Sequence, residues 1–164
     1  MDSTWRFTWR FRLAAWLSIV GKNYDDPAVI KLRKELGLAG KGPRVDAFGA
    51  EEVPAEGVAI MLAKTAVGGK ANKGAYGITF YARARGDRKP YSGALPHALA
   101  WNETQASVRA RLGEPATRAQ LANSDGYDFG DYSLSVEYVD DTGSAIKVVQ
   151  IRLANPGGSL ANAL

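Results

Sequence analysis

The chain has 164 residues, 46% hydrophobic and 23% charged, with a net charge of +4 and no cysteine. This composition suits a globular protein with a real core and argues against disorder. The missing cysteine excludes disulfides, thiolate metal sites, cysteine nucleophiles and a cysteine-borne lipid anchor, and the arginine excess suits an acidic partner or nucleic acid without demanding either.

No apolar run reaches the ~20 residues of a membrane-spanning helix. At the start, Trp5, Phe7, Trp9 and Phe11 alternate with polar residues, as in a strand. From Leu13 the spacing Leu13, Trp16, Leu17, Val20 turns helical. Residues 1–20 therefore read as an N-terminal arm, ordered from about Trp9, or as a first helix. Arg6, Arg10 and Arg12 ahead of Leu13–Val20 superficially resemble an export leader, but no small-residue cleavage site follows.

Asp26 and Pro27 form a helix start. The Asp26 carboxylate can cap, and proline at the first helical position loses no useful N–H. Val29, Leu32 and Leu36 give that helix an apolar face, and Gly37 ends it. Lys41 to Pro54 reads as loop with an extended piece at Val45–Phe48. Val58 to Ala63 is a buried strand, Gly68 to Gly74 a flexible basic turn, and Tyr76, Ile78 and Phe80 mark the next strand, with Thr79, Tyr81 and Arg83 on its other face.

After the connector Tyr91–Pro96, Asn102 starts a second helix with Gln105 in a capping-box position. Val108 and Leu112 form its apolar face, Gly113 closes it, and Pro115 prevents continuation. Tyr127 to Phe129 is a short strand. Tyr132, Leu134, Val136 and Tyr138 alternate with Ser133, Ser135 and Glu137, the pattern of a strand buried on one face. Asp140–Gly143 is a hairpin turn. In the last strand Ile146 and Val148 are out of phase with Val149, Ile151 and Leu153, which calls for a bulge near Val148. Residues 155–164 read as a flexible tail.

Two segments share one order of elements, and one offset carries Leu32–Gly37 onto Val108–Gly113 and Val58–Ala63 onto Leu134–Val139. The expected fold is α+β: two similar helix-plus-antiparallel-hairpin halves, residues 21–90 and 91–154, with helices on one face of an antiparallel sheet. The other face would stay open and carry Thr79, Tyr81, Arg83, Ser133, Ser135 and Glu137.

Searches for catalytic chemistry return little. His97 is the sole histidine, so it cannot build a histidine zinc site, and no Gly-x-Ser-x-Gly elbow is present. Asp141-Thr142-Gly143 spells an aspartic-protease triplet, but it lies in a turn and has no second copy. The glycine-rich loop at 68–74 lacks the ending of a phosphate cradle. Asp128 and Asp131 lack the further oxygen ligands of a calcium loop. Arg83, Arg85, Arg88 and Lys89 near Tyr81 and Tyr91 would suit a single strand of nucleic acid, although no nucleic-acid-binding signature accompanies them. No catalytic residue, metal ligand or cofactor is expected, and the chain reads as a binding protein rather than an enzyme.

Four segments together resemble the immunity proteins encoded beside bacterial polymorphic toxins: Val20–Pro27, Tyr91–Pro96, Val108–Pro115 and Tyr132–Tyr138. The helix–Leu-Gly-x-Pro–hairpin unit is also similar to the β-lactamase-inhibitor-protein and outer-membrane assembly lipoprotein folds. The resemblance implies binding and neutralisation of one cognate toxin as a heterodimer, in the cytoplasm or, alternatively, the periplasm. An envelope inhibitor of the same fold and a nucleic-acid-binding module remain alternatives, although nucleic acid is the less expected partner. The partner-binding candidates are Tyr81, Arg83, Arg85, Tyr91, Asp128, Asp131 and Glu137. Alternation assigns Tyr132 and Tyr138 to the core.

Overall fold

A computed structural model describes residues 12–36, 38, 49–67, 70–119, 123–154 and 159–164, with the backbone alone at 63–67, 70–73 and 118–119. Residues 12–18 form helix α1. Leu13, Trp16, Leu17 and Ile19, at helical spacing and just beyond, are buried in the core. The alternating stretch from Trp5 to Phe11 lies outside the described residues.

Helix α2 is Pro27–Glu35. Its start follows the sequence: Asp26 has an extended backbone, and its side chain accepts a hydrogen bond from Ala28 N at 2.8 Å. Arg33 and Lys34 occupy the last turn, where the carbonyl end of the helix favours cations. Helix α3 is Gln105–Leu112, and here the expected start is corrected. The cap is Thr104, not Asn102; its hydroxyl accepts from Ser107 N at 3.2 Å. Asn102 lies in a turn in which the neighbouring Glu103 carboxylate accepts from Ala100 N. Gly113 closes α3 with φ +90°, a conformation that a side chain would strain.

Among the described residues seven strands form one sheet. They are β1 Ala50–Val53, β2 Val58–Val67, β3 Lys70–Tyr81, β4 Thr117–Ala119, β5 Ser124–Asp128, β6 Tyr132–Tyr138 and β7 Ile146–Leu153. Their order is β1-β2-β3-β7-β6-β5-β4, and every neighbour is antiparallel. The chain is thus α+β. Helix α2 precedes the meander β1-β2-β3, helix α3 precedes β4 to β7, and the last long strand of each segment meets the other at a central seam where Ile78 opposes Ile151.

Directly paired residues share a face of the sheet. One face carries Val58, Ile60, Ile78, Phe80, Val149, Ile151, Leu134 and Val136, all buried, and packs with Val29 of α2, Val108 of α3 and the α1 residues. The frame change expected in the last strand is present. Glu137 pairs with Val148 but Tyr138 pairs with Ile146, so Lys147 is the extra residue of a bulge.

Four expectations are corrected. Residues 50–53 are a strand rather than loop; the extended piece at Val45–Phe48 and the stop at Gly37 lie outside the described residues. The turn at 68–74 is shorter than expected, because Lys70 to Gly74 already pair with β2. Short strand β4 precedes β5, which begins at Ser124 rather than Tyr127. Within the expected tail, Leu160 and Ala163 are buried, and the 3-10 turn Ala161–Ala163 contacts another at Pro96–Ala98.

Each helix also places an arginine on a buried carboxylate of the sheet. Arg33 reaches Glu51 of β1 through Nη2 at 2.9 Å, and Tyr24 donates its hydroxyl to the same carboxylate. Arg109 grips Asp125 of β5 through Nε at 2.8 Å and Nη2 at 2.7 Å, and Tyr138 donates to that carboxylate at 3.3 Å.

Candidate interaction surface

The second face of the sheet is built from the alternate residues. One row crosses all seven strands: Glu52, Ala59, Thr79, Gln150, Ser135, Gly126 and Thr117. Nothing in its centre is larger than glutamine. The flanking rows are bulkier. Tyr81, Val148 and Glu137 stand on one side, and Met61, Gly77, Arg152, Ser133 and Asp128 on the other. Same-face rows are about 7 Å apart along a strand, and strands lie about 4.8 Å apart. The small row is the floor of a trough only on its β7-to-β4 side, because at β2 and β3 Ala59 and Thr79 are buried, 2% and 5% exposed. Over β4 to β7 it deepens to a cavity of about 470 Å³ that reaches Thr117, Ser124, Ser133, Ser135, Gln150 and Arg152. Gly126 makes room there, since a Cβ would strike Thr117 Oγ1.

Most charges bordering the trough are already bonded. Glu137 receives Lys147 Nζ at 2.7 Å. Glu52 holds Arg88 through Nε at 3.0 Å, and the Arg88 guanidinium lies 3.7 Å from the centre of the Tyr81 ring, a cation–π contact. Asp128 accepts from Gly130 N at 2.8 Å. On the floor, Gln150 donates to Thr79 Oγ1 at 2.9 Å. Arg152 is exposed, and its guanidinium has no hydrogen-bond or ionic partner among the described residues. The hydroxyls of Ser124, Ser133 and Ser135 also lack protein partners among those residues.

The candidates from sequence fall in three places. Tyr81 and Glu137 lie in one row of the open face, and Asp128 borders the same face at the end of β5. Arg83 and Arg85 follow β3 in an exposed loop closed by paired backbone hydrogen bonds between Arg85 and Arg88 at 3.1 Å. Asp131 is exposed in the turn between β5 and β6. Tyr91 is the correction: it is 2% exposed, packs on Phe80 at 4.7 Å and donates its hydroxyl to Ala94 O, so it belongs to the core. Burial also pushes its pKa up. Tyr132 and Tyr138 are buried, as their alternation implies.

Sequence reasoning missed Arg152, Gln150, Ser124 and Thr117. The signal for the first two was the inward pair Val149 and Ile151, which forces their neighbours outward once the bulge is placed.

His97 is part of a separate aromatic cluster. Its ring stacks on Phe129 at 4.4 Å, and its Nε2 lies 2.8 Å from the Tyr132 hydroxyl. Burial, with a lesser push from Arg111, lowers its pKa. The ring is thus neutral near pH 7, and Tyr132 occupies its Nε2. Among the described residues no group of three or more His, Asp or Glu could hold a metal ion, and no helix is long and apolar enough to cross a membrane.

No known family model matches this chain, and no curated protein or solved structure matches it either.

Proposed function

We propose that this is a binding protein that neutralises a bacterial toxin, an immunity protein acting in the cytoplasm of the cell that makes the toxin. The supporting observation is the uneven dressing of the sheet. One face is packed beneath three helices, while the other keeps a hydroxyl-lined trough with aromatic and arginine residues at its border. Protein interfaces use such aromatic and arginine anchors with a polar rim. On this reading the open face docks the toxin as a heterodimer, and Tyr81, Arg83, Arg85, Asp128, Asp131 and Glu137 lie at or around the contact. No catalytic step or cofactor is invoked.

The test is co-expression with the adjacent toxin gene. Survival should depend on this chain, and the purified pair should bind at nanomolar Kd or tighter. Growth arrest despite folded protein, or the lack of a toxin gene nearby, rejects the reading.

A further inference from the structure

Resting on that reading of the open face, we propose that the cavity over β4 to β7 receives a charge-balanced segment of the partner, which sets a carboxylate on Arg152 and an ammonium or guanidinium group on Asp128.

Arg152 of β7, Ser133 of β6 and Asp128 of β5 stand side by side in one row of the open face, and all three line the cavity. Arg152 and Asp128 are exposed. They are two strand spacings apart, about 10 Å between backbones. No ion pair joins them, and neither meets an opposite charge elsewhere among the described residues. The Asp128 carboxylate accepts only from the backbone N–H of Gly130, at 2.8 Å. Arg152 has its stem beside Gly77, where an added Cβ would lie 3.1 Å from Arg152 Cγ. Both charges thus rise from strands of the sheet at fixed places. The rest of the lining is uncharged; Asp131, in the turn beyond β5, lies outside it.

This neutral sum selects the occupant. A segment that covers the cavity takes water from both charges, and a buried charge without an opposite partner is costly. An acidic segment would satisfy Arg152 and strand Asp128. A basic one would do the reverse, and an uncharged one would strand both. One group of each sign satisfies the two, and the row fixes their order: anion towards β7, cation towards β5. Residues two apart in an extended chain lie on one side, about 7 Å from each other, and the reach of a glutamate and a lysine spans the remainder. Between the charges the floor offers hydrogen bonds of either sense. The hydroxyls of Ser124, Ser133 and Ser135 donate or accept. Gln150 gives an N–H to Thr79 and keeps its carboxamide oxygen for a peptide N–H.

The test titrates the full chain with four serine heptapeptides, acetylated and amidated, that carry Glu and Lys, two Glu, two Lys or two Gln at the third and fifth positions. The Glu–Lys peptide should bind at least tenfold more tightly than the other three and shift the amides of Ser133, Ser135, Gln150 and Arg152. Two exposed changes should then move the preference in opposite senses. With Arg152→Gln the two-Lys peptide should equal or exceed the Glu–Lys peptide. With Asp128→Asn, which keeps an acceptor for the Gly130 N–H, the two-Glu peptide should do so. Equal binding of the four peptides, tightest binding of a like-charged or uncharged one by wild type, no binding, or shifts mapping elsewhere overturns the inference. The purified toxin separates the two proposals. If it binds wild type and both variants equally, the charge-balanced assignment falls while the immunity reading stands. If the Glu–Lys peptide binds and the toxin does not, the reverse holds.

Discussion

The two helices bury charge in the same way but seal it differently. Arg33 of α2 and Arg109 of α3 lie 76 positions apart, the offset that also relates the two helix sequences. Each pairs with a carboxylate on the sheet, and each carboxylate also takes a tyrosine hydroxyl. In the first pair both side chains are sealed, with Arg33 at 9% exposure and Glu51 at 4%. In the second, Asp125 is fully buried but Arg109 keeps 29% exposure. Protonation follows suit. Burial pulls the Arg33 pKa down, whereas the bond to Asp125 raises that of Arg109. A sealed pair has nowhere to rehydrate if one partner is lost; a half-open pair loses less when its inner member goes.

This contrast can be broken by mutation. The largest effects are expected in the first pair, where Glu51→Ala and Arg33→Ala should each cost about 3–5 kcal/mol in urea unfolding, because either strands a buried charge. Equal, small losses would show that water reaches the site. The second pair should be lopsided. Arg109→Ala strands Asp125 and should cost more than Asp125→Ala, which frees an arginine that can meet water and should cost about 1–3 kcal/mol.

A smaller effect tests neutral groups. The folded pKa of His97 is lowered, so below its ordinary value the unfolded chain takes up a proton that the fold resists. Stability should be full above pH 6.5 and decline as pH falls through the window below it. His97→Gln should flatten the decline in thermal unfolding.

The smallest expected change is at the β6–β7 turn. Hydrogen bonds from the side chains of Ser144 and Thr142, aided by their backbone N–H groups, hold the half-buried Asp140 carboxyl at about 2. Its contribution is present above the ordinary aspartate value of 3.8 and is lost as pH falls towards about 2. Asp140→Asn should remove that low-pH slope, lowering the unfolding midpoint slightly at pH 7, where the contribution is fully present, and leaving it almost unchanged near pH 2.

The strands that alternate cleanly were legible in the sequence. β6 was readable end to end because its buried and outward residues take turns without a break, and the bulge in β7 was readable because two alternating patterns collided there. Strand β1 was not, since Ala50-Glu51-Glu52-Val53 carries a buried glutamate where a strand pattern wants an apolar residue. Arg33 and Tyr24, both distant in sequence, make that burial tolerable. The site divides similarly. Tyr81, Ser133, Ser135 and Glu137 could be placed on the open face from local alternation. The trough could not, because its floor takes one residue from each of four strands, Gln150, Ser135, Gly126 and Thr117. Tyr91 was misread because nothing local marks a connector tyrosine as core.

The central seam also has a consequence for how the molecule is made. β7 lies between β3 and β6, yet it leaves the ribosome after both. Until residues 146–153 emerge, each nascent meander has one bare hydrogen-bonding edge and an unfinished apolar face. The pairs that close the gap, such as Ile78 with Ile151, join residues more than seventy positions apart, and contacts of that range form slowly. The sheet is therefore completed late in translation, and the nascent chain passes through a stage at which strand addition by a neighbouring chain competes with its own β7.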